Sequence, residues 1–322
     1  MWEKNIDLFE PSYVWPNPAF GFRIYHDSPP LRIFIIENIT HNWRWLKEYR
    51  NRFRENDHFI VSLGWHFDEF LVQECNHVFE ILNLKKNNFH IMFNDFSDKS
   101  MFEKYGFKGE LINQNCFLDE NLFKIIDSEK VYDAIYTARL VPFKRHYLAN
   151  KIDNLALIAG PTHGPAPIDI PRSEYINDKT LTSEEVMQKL SESRVGIILS
   201  EAEGACYSSS EYLLCGLPVV STISQGGRSV WYNSSNSLIC DSKPEDVAEA
   251  VKKLANSYVD RLQIRNMHIN LANHFRANFI NLHQELIDMH GGGVDARKYF
   301  HENFQHKLFS SSVPNFEEIF SV

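Results

Sequence analysis

The sequence predicts an α/β chain of two doubly wound domains, and three observations carry that expectation. The 322 residues exceed what one hydrophobic core usually holds and suit two domains of about 150 residues each. Short apolar runs alternate with helical stretches along most of the chain, the grammar of helix-flanked, largely parallel sheets. That alternation restarts near Asp127. The expected domains are therefore residues 1–128, short for its class, and residues 129–290, followed by a tail at 291–322 whose packing the sequence leaves open.

Composition narrows the class. A hydrophobic fraction of 43%, with 24 Phe and 13 Tyr, belongs to an ordered globular chain. The net charge of −9 argues against a general nucleic-acid binder, which needs a basic face. Five cysteines, odd in number and without a C-x-x-C pair, suggest neither a disulfide framework nor a zinc site and read as core residues of a reducing compartment. The first residues lack a continuous apolar segment of signal-peptide type, and no run reaches the ~18–20 residues of a membrane span, so the expectation is a cytoplasmic protein.

Each element follows from its pattern. After a lead-in rich in Pro and aromatics, "LRIFIIEN" and "DHFIVSLGW" read as strands with a helix between them. The helix "DEFLVQECNHVFEILNL", strand "FHIMFND", helix "SDKSMFEKYG" and strand "GELINQN" complete the first domain. The second contains the strands "VYDAIYTARL", "NLALIAG", "VGIILS", "LPVVST" and "SLICD". Its helices are "TSEEVMQKLSES", one around Glu211, and "SKPEDVAEAVKKLANS"; a long helical segment from Asp260 stops at Gly291–Gly293. In "HNWRWLKEYRNRFRE", Trp43, Leu46, Tyr49 and Phe53 line one helical face, and Arg44, Lys47, Arg50 and Arg54 repeat the spacing one residue later. The first series suits a core. The second makes residues 42–55 a candidate peripheral contact with anionic lipid.

Ligands in open α/β sheets sit beyond the carboxyl ends of strands, where helix N-termini present backbone N–H groups. "SEAEGACYSSSEYLLCGLPVV" occupies such a place. Gly204 frees the turn, the amides of Ala205, Cys206, Tyr207 and Ser208 are candidate phosphate ligands, and Glu211 is a candidate acceptor from the vicinal hydroxyls of a ribose. In "TARLVPFKRHYLA", Arg139 ends a strand and Lys144 is expected to start a helix, two fixed cations suited to a diphosphate. Gly226 and Gly227 in "STISQGGRSVWY" form a third candidate loop, where backbone amides approach a ligand. In the first domain "SLGWHFDEF" places His66 just past a strand; His41 is the second candidate histidine there.

The order "ARLVPFK", "SEAEGACYSSSEYLLCGLPVVST", "QGG" resembles the C-terminal domain of retaining glycosyltransferases of the B fold, especially family 4. That family typically has an arginine–lysine turn, an E-G-F stretch with seven residues between two glutamates, and a G-x-P-V-V strand before a Gly-Gly loop. The match covers roughly residues 131–285, and "FSDKSMFEKYGFKGELINQNCFLDENLF" is similar to the family's crossing between domains. The resemblance implies two Rossmann-like domains facing a cleft. It implies that Arg139 and Lys144 hold the donor diphosphate, Glu211 the ribose and Glu203 the hydroxyls of the transferred sugar. His66 is its candidate for a contact near that sugar.

The activity so implied is retaining transfer from a UDP-, GDP- or ADP-linked sugar to a hydroxyl acceptor, saccharide or lipid-linked, without a cofactor. No Asp-x-Asp occurs, and no required metal is expected. The chain departs from the family at Ala205, where an aromatic is usual, and in "IIENITHNW", which lacks the glycine-rich loop of the first domain. A sugar-nucleotide epimerase and a non-catalytic nucleotide-sugar-binding subunit are the alternatives on the same fold.

Overall fold

The computed structural model describes residues 21–160, 169–308 and 314–321. Most of the Pro- and aromatic-rich lead-in lies outside the described residues. The chain divides into two compact units, one formed by residues up to Phe117 and from His274 onward, the other by Leu118–Asn273.

The first unit begins with β1 (Phe22–Ser28), β2 (Leu31–Glu37), α1 (Trp43–Tyr49), β3 (Asp57–Ser62), α2 (Glu69–Ile81), β4 (Phe89–Phe93), α3 (Phe96–Glu103) and β5 (Lys108–Leu111). Its sheet runs β1-β2-β3-β4-β5, with β1 antiparallel to β2 and all other pairs parallel. β3 and β4 are buried along their whole length, which is why they stand out in the sequence as unbroken apolar runs. β1 does not stand out. A register shift between Ile24 and His26 interrupts its period of two, and Arg23, His26 and Asp27 make it look like a loop.

The second unit contains β6 (Tyr132–Thr137), β7 (Leu155–Ile158), β8 (Tyr175–Ile176), α4 (Ser183–Ser191), β9 (Ser193–Ile198), α5 (Tyr207–Leu214), β10 (Val219–Thr222), β11 (Ser237–Cys240) and α6 (Pro244–Ala255). All its strand pairs are parallel, in the order β11-β10-β9-β6-β7-β8. The chain builds outward from β6 through β7 and β8, then returns to lay β9 on the other side of β6. The order reverses there, which makes the gap beyond β6 and β9 the topological switch point where such sheets bind ligands. Gly196 of β9 allows the closest helix contact: a Cβ at that position would stand 2.2 Å from the Tyr212 ring of α5. α7 (Arg261–Met289) follows, then α8 (Ala296–Glu302) and α9 (Phe316–Ile319).

The unit boundaries differ from the expected 128 and 290, and hydrogen bonds explain why. Up to Phe117 the chain is tied to the first unit, where Arg276 Nε donates to the Cys116 carbonyl at 2.6 Å and Asn278 to that of Leu111 at 2.9 Å. Beyond it, the carbonyls of Glu120 and Phe123 both accept from Arg265, at 2.6 Å, within the second unit. The tail completes the first unit. Arg23 donates to the carbonyls of Asn303 and Leu308, Arg32 to that of Ile319, and Phe316 stacks on Trp45 at 4.7 Å.

α1 is shorter than its pattern suggests, ending at Tyr49 in a 3-10 turn over Arg50–Arg52. Trp43, Leu46 and Tyr49 are buried as expected, together with Trp45, and Phe53 packs against the same core. The basic series is only partly free: Arg44 and Arg54 are exposed, Lys47 and Arg50 half-buried, and neighbouring Arg52 pairs with Glu317 at 2.7 Å. No helix among the described residues is long and apolar enough to cross a membrane. All five cysteines are free thiols; Cys75, Cys116 and Cys215 are buried.

Candidate functional site

The site is built from three loops at the carboxyl ends of β6, β9 and β10. After β6, Pro142–Lys144 forms a 3-10 turn that ends at Arg145 in the left-handed region, φ 49°. Lys144 therefore ends a tight turn and does not open an α-helix, because Pro142 starts the turn and the left-handed Arg145 breaks it. The exposed Arg139 guanidinium lies 6.0 Å and the Lys144 ammonium 5.2 Å from the Phe143 ring centroid, so one aromatic ring contacts both cations. Gly160 lies under the Arg139 stem, where an added Cβ would come within 3.2 Å of Cγ.

Glu203, in the loop after β9, is 7% exposed and forms a close ion pair with Lys144. Its Oε1 also accepts from Ser200 Oγ at 2.6 Å. Ser200 Oγ accepts in turn from Arg228 at 2.7 Å, and Arg228 also donates to the Ser200 and Thr222 carbonyls and to Ser221 Oγ. Arg228 is 1% exposed, a buried guanidinium whose donors clamp the ends of β9 and β10 beneath the carboxylate. The sequence reasoning missed it. Its only signal was its place directly after the two glycines.

The loops after β9 and β10 are laced by backbone. Gln225 N–H donates to Glu201 at 3.0 Å, Glu203 N–H to Gln225 at 3.1 Å and Gly227 N–H to Gly204 at 2.8 Å. Gly226, at φ 94°, makes the bend that brings Gly227 into this ladder. The Gly-Gly loop thus braces Glu203; the Gly227 amide, expected to approach a ligand, is committed to the Gly204 carbonyl.

α5 starts at Tyr207, with Cys206 left-handed at φ 61° as its N-cap and no side chain capping it. Ser208 and Ser209 lie in its first turn, where Ser208 donates to the Thr137 carbonyl at 3.0 Å and Ser209 to the Tyr232 hydroxyl at 2.7 Å. Ala205 is fully buried. Glu211 lies one turn into α5 and is 8% exposed. Burial pushes the Cys206 thiol up to about 12, with the Glu203 charge adding to the effect, so it is no thiolate nucleophile. Tyr136 is likewise raised by burial, and its hydroxyl donates to the Lys144 carbonyl beneath the turn.

Arg139, Lys144, Glu203, Gly204, Gly226 and Gly227 thus belong to one set of adjoining loops, with Ala205 to Ser208 and Glu211 on the helix that follows. His66 belongs to the first unit, past β3. Its Nδ1 lies 3.2 Å from Asp98 Oδ1, and that carboxylate holds the imidazole above its ordinary value. His41, past β2, is held below its ordinary value by burial.

No family model matches the sequence, and no curated protein does. Solved structures do match. Anabaena HepE in complex with UDP and glucose aligns at a TM-score of 0.55 and 13% identity, over 78% of this chain and 77% of that one. The chain has the glycosyltransferase B fold. Sucrose-phosphate synthase from Thermosynechococcus elongatus aligns at 0.56 and 14% identity, over 84% and 74%. S. aureus TarM, solved with UDP and α-GlcNAc-glycerol, aligns at 0.51 and 14%, over 84% of this chain and 55% of its own. The two α/β units and the parallel sheets are those expected for this fold.

Proposed function

We propose that the chain is a nucleotide-sugar glycosyltransferase that moves a sugar from a nucleotide diphosphate to a saccharide-type hydroxyl, with retention at the anomeric carbon. The observation that carries this reading is the meeting, at the switch point beyond β6 and β9, of Lys144 and the buried Glu203 on a frame braced by Ser200 and Arg228. Arg139 and Lys144 take the diphosphate, Glu211 the ribose hydroxyls and Glu203 the hydroxyls of the sugar. The Lys144–Glu203 pair holds both groups in place before the donor arrives. When the donor binds, its phosphate and hydroxyls share the pair's charge.

Transfer proceeds at the front face. The acceptor hydroxyl attacks the anomeric carbon from the side the diphosphate leaves, a β-phosphate oxygen takes the acceptor proton, and Arg139 and Lys144 stabilise the departing charge. These steps use no metal. UDP is the first donor base to test, because HepE and TarM were solved with it. Incubation with UDP-, GDP- and ADP-sugars tests the reading: released nucleotide should rise when a saccharide acceptor is added, and the product anomer, read by NMR, should match the donor. Nucleotide binding without release under any acceptor would leave a binding subunit as the function.

A further inference from the structure

The first unit holds a cluster outside the donor machinery. Ligand atoms of His66, Asp95 and Asp98 all lie within 4.8 Å of one another. They come from the carboxyl-end loops of β3 and β4: His66 follows β3, Asp95 caps α3 by accepting from the Asp98 N–H at 2.9 Å, and Asp98 sits in the first turn of that helix. Ligands around a tetrahedral ion at usual bond lengths stand about 3.4 Å apart, so a small closure of these side chains suffices.

The second observation is independent of this proximity. Asp98 is fully buried, and among the described residues its Oδ2 has no hydrogen-bond partner. Its Oδ1 receives only a long 3.4 Å contact from the Phe67 N–H and the flank of His66. His66 Nδ1 is also buried and without a hydrogen bond, since it stands beside the carboxylate at 3.2 Å but off the line of a bond. A buried carboxylate oxygen left bare carries its full desolvation cost. A buried ring nitrogen beside a carboxylate that keeps one oxygen bare is an arrangement in which two ligands can converge on a third body.

We propose that His66, Asp95 and Asp98 bind one divalent transition-metal ion, with zinc the best fit and a water in the fourth position. One imidazole and two carboxylates suit Zn²⁺ or Mn²⁺ better than Mg²⁺ or Ca²⁺, which prefer all-oxygen shells. The site lies in a different unit from the donor loops and is outside the proposed transfer steps, so its failure leaves the donor reading untouched. The sequence hid it because the spacing is neither Asp-x-Asp nor Cys-x-x-Cys: the histidine precedes the aspartates by about thirty positions.

Calorimetric titration of the chelator-treated full chain with Zn²⁺ tests it. One equivalent should bind, with a rise in melting temperature. Asp98→Asn and His66→Gln should each weaken binding by at least ~10-fold, the lower end of what even a supporting residue costs. His290→Gln should leave it unchanged; that variant removes one end of a chain of three hydrogen-bonded histidines, His90–His58–His290, in the same unit. Should Asp98→Asn fail to fold, Asp95→Asn and His66→Gln carry the same comparison. Absence of stoichiometric Zn²⁺, Mn²⁺ or Ni²⁺ binding, or binding that these variants leave intact, overturns the proposal.

Discussion

The carboxyl ends of the two sheets differ in topology and in charge. In the second unit the strand order reverses between β6 and β9, and the loops there carry Arg139, Lys144, Arg145 and Arg228 beside two buried glutamates, Glu203 and Glu211. In the first unit the order runs from β1 to β5 without reversal, and the loops carry Glu37, His66, Asp68, Asp95 and Asp98. Burial raises Glu37 to about 7, with the Lys307 charge offsetting part of the effect. In the proposed function the second unit's edge receives the polyanion, and in the proposed metal site the first unit's edge receives a cation. Parallel sheets of the same class therefore specialise through the topology that opens a crevice and the charges placed at its rim.

The largest expected difference is in acid. Burial holds His58 and His90 at about 4 and His283 at about 3 in the first unit, whereas His146, also at about 4, is the one such histidine resolved in the second. These groups are neutral when folded and regain an ordinary value near 6.5 when unfolded. The unfolded state thus binds more protons between about 6.5 and 4, so their contribution is full above that window and is lost as pH falls through it. Hydrogen exchange at falling pH should show β3 and β4 opening before β6 and β9; the reverse order would break the comparison.

The buried guanidinium comes next. Arg228→Ala should destabilise the second unit by about 3–5 kcal/mol in denaturant titration, because Ser200, Ser221 and the Thr222 carbonyl lose their donor together. A loss no larger than that of an exposed arginine would show that the β9–β10 frame does not depend on it. For Lys144→Ala the expected fall is roughly 10²–10³ in turnover, since the charge it meets grows as the diphosphate leaves. The melting temperature should also drop, through the stranded Glu203. Turnover that falls only in proportion to folded protein would remove Lys144 from the leaving-group role.

Much of this contrast was legible in the chain. Apolar runs announced β3, β4 and β9, and the Arg139–Lys144 turn with the Glu203–Glu211 stretch carried the family resemblance that marks the proposed donor edge. What escaped depends on distance. β1 carries Arg23 and His26, whose partners Leu308 and His283 come from the far end of the chain, so its polar residues read as a loop. The tail's role was invisible because Phe316 and Phe320 find Trp45 and Phe34 some 270 positions earlier or more. Arg228 went unread, since nothing local in the sequence tells that four acceptors surround it.

The most direct test of the donor edge is calorimetric titration of UDP into the wild-type chain and into Glu211→Ala. A carboxylate bridging two ribose hydroxyls makes charge-assisted bonds worth about 1.5–3 kcal/mol, so the variant should bind ~10- to 150-fold more weakly with an unchanged melting temperature. Equal affinity in the two proteins would contradict the placement of the nucleotide on α5, and with it the account of the second sheet as the donor edge.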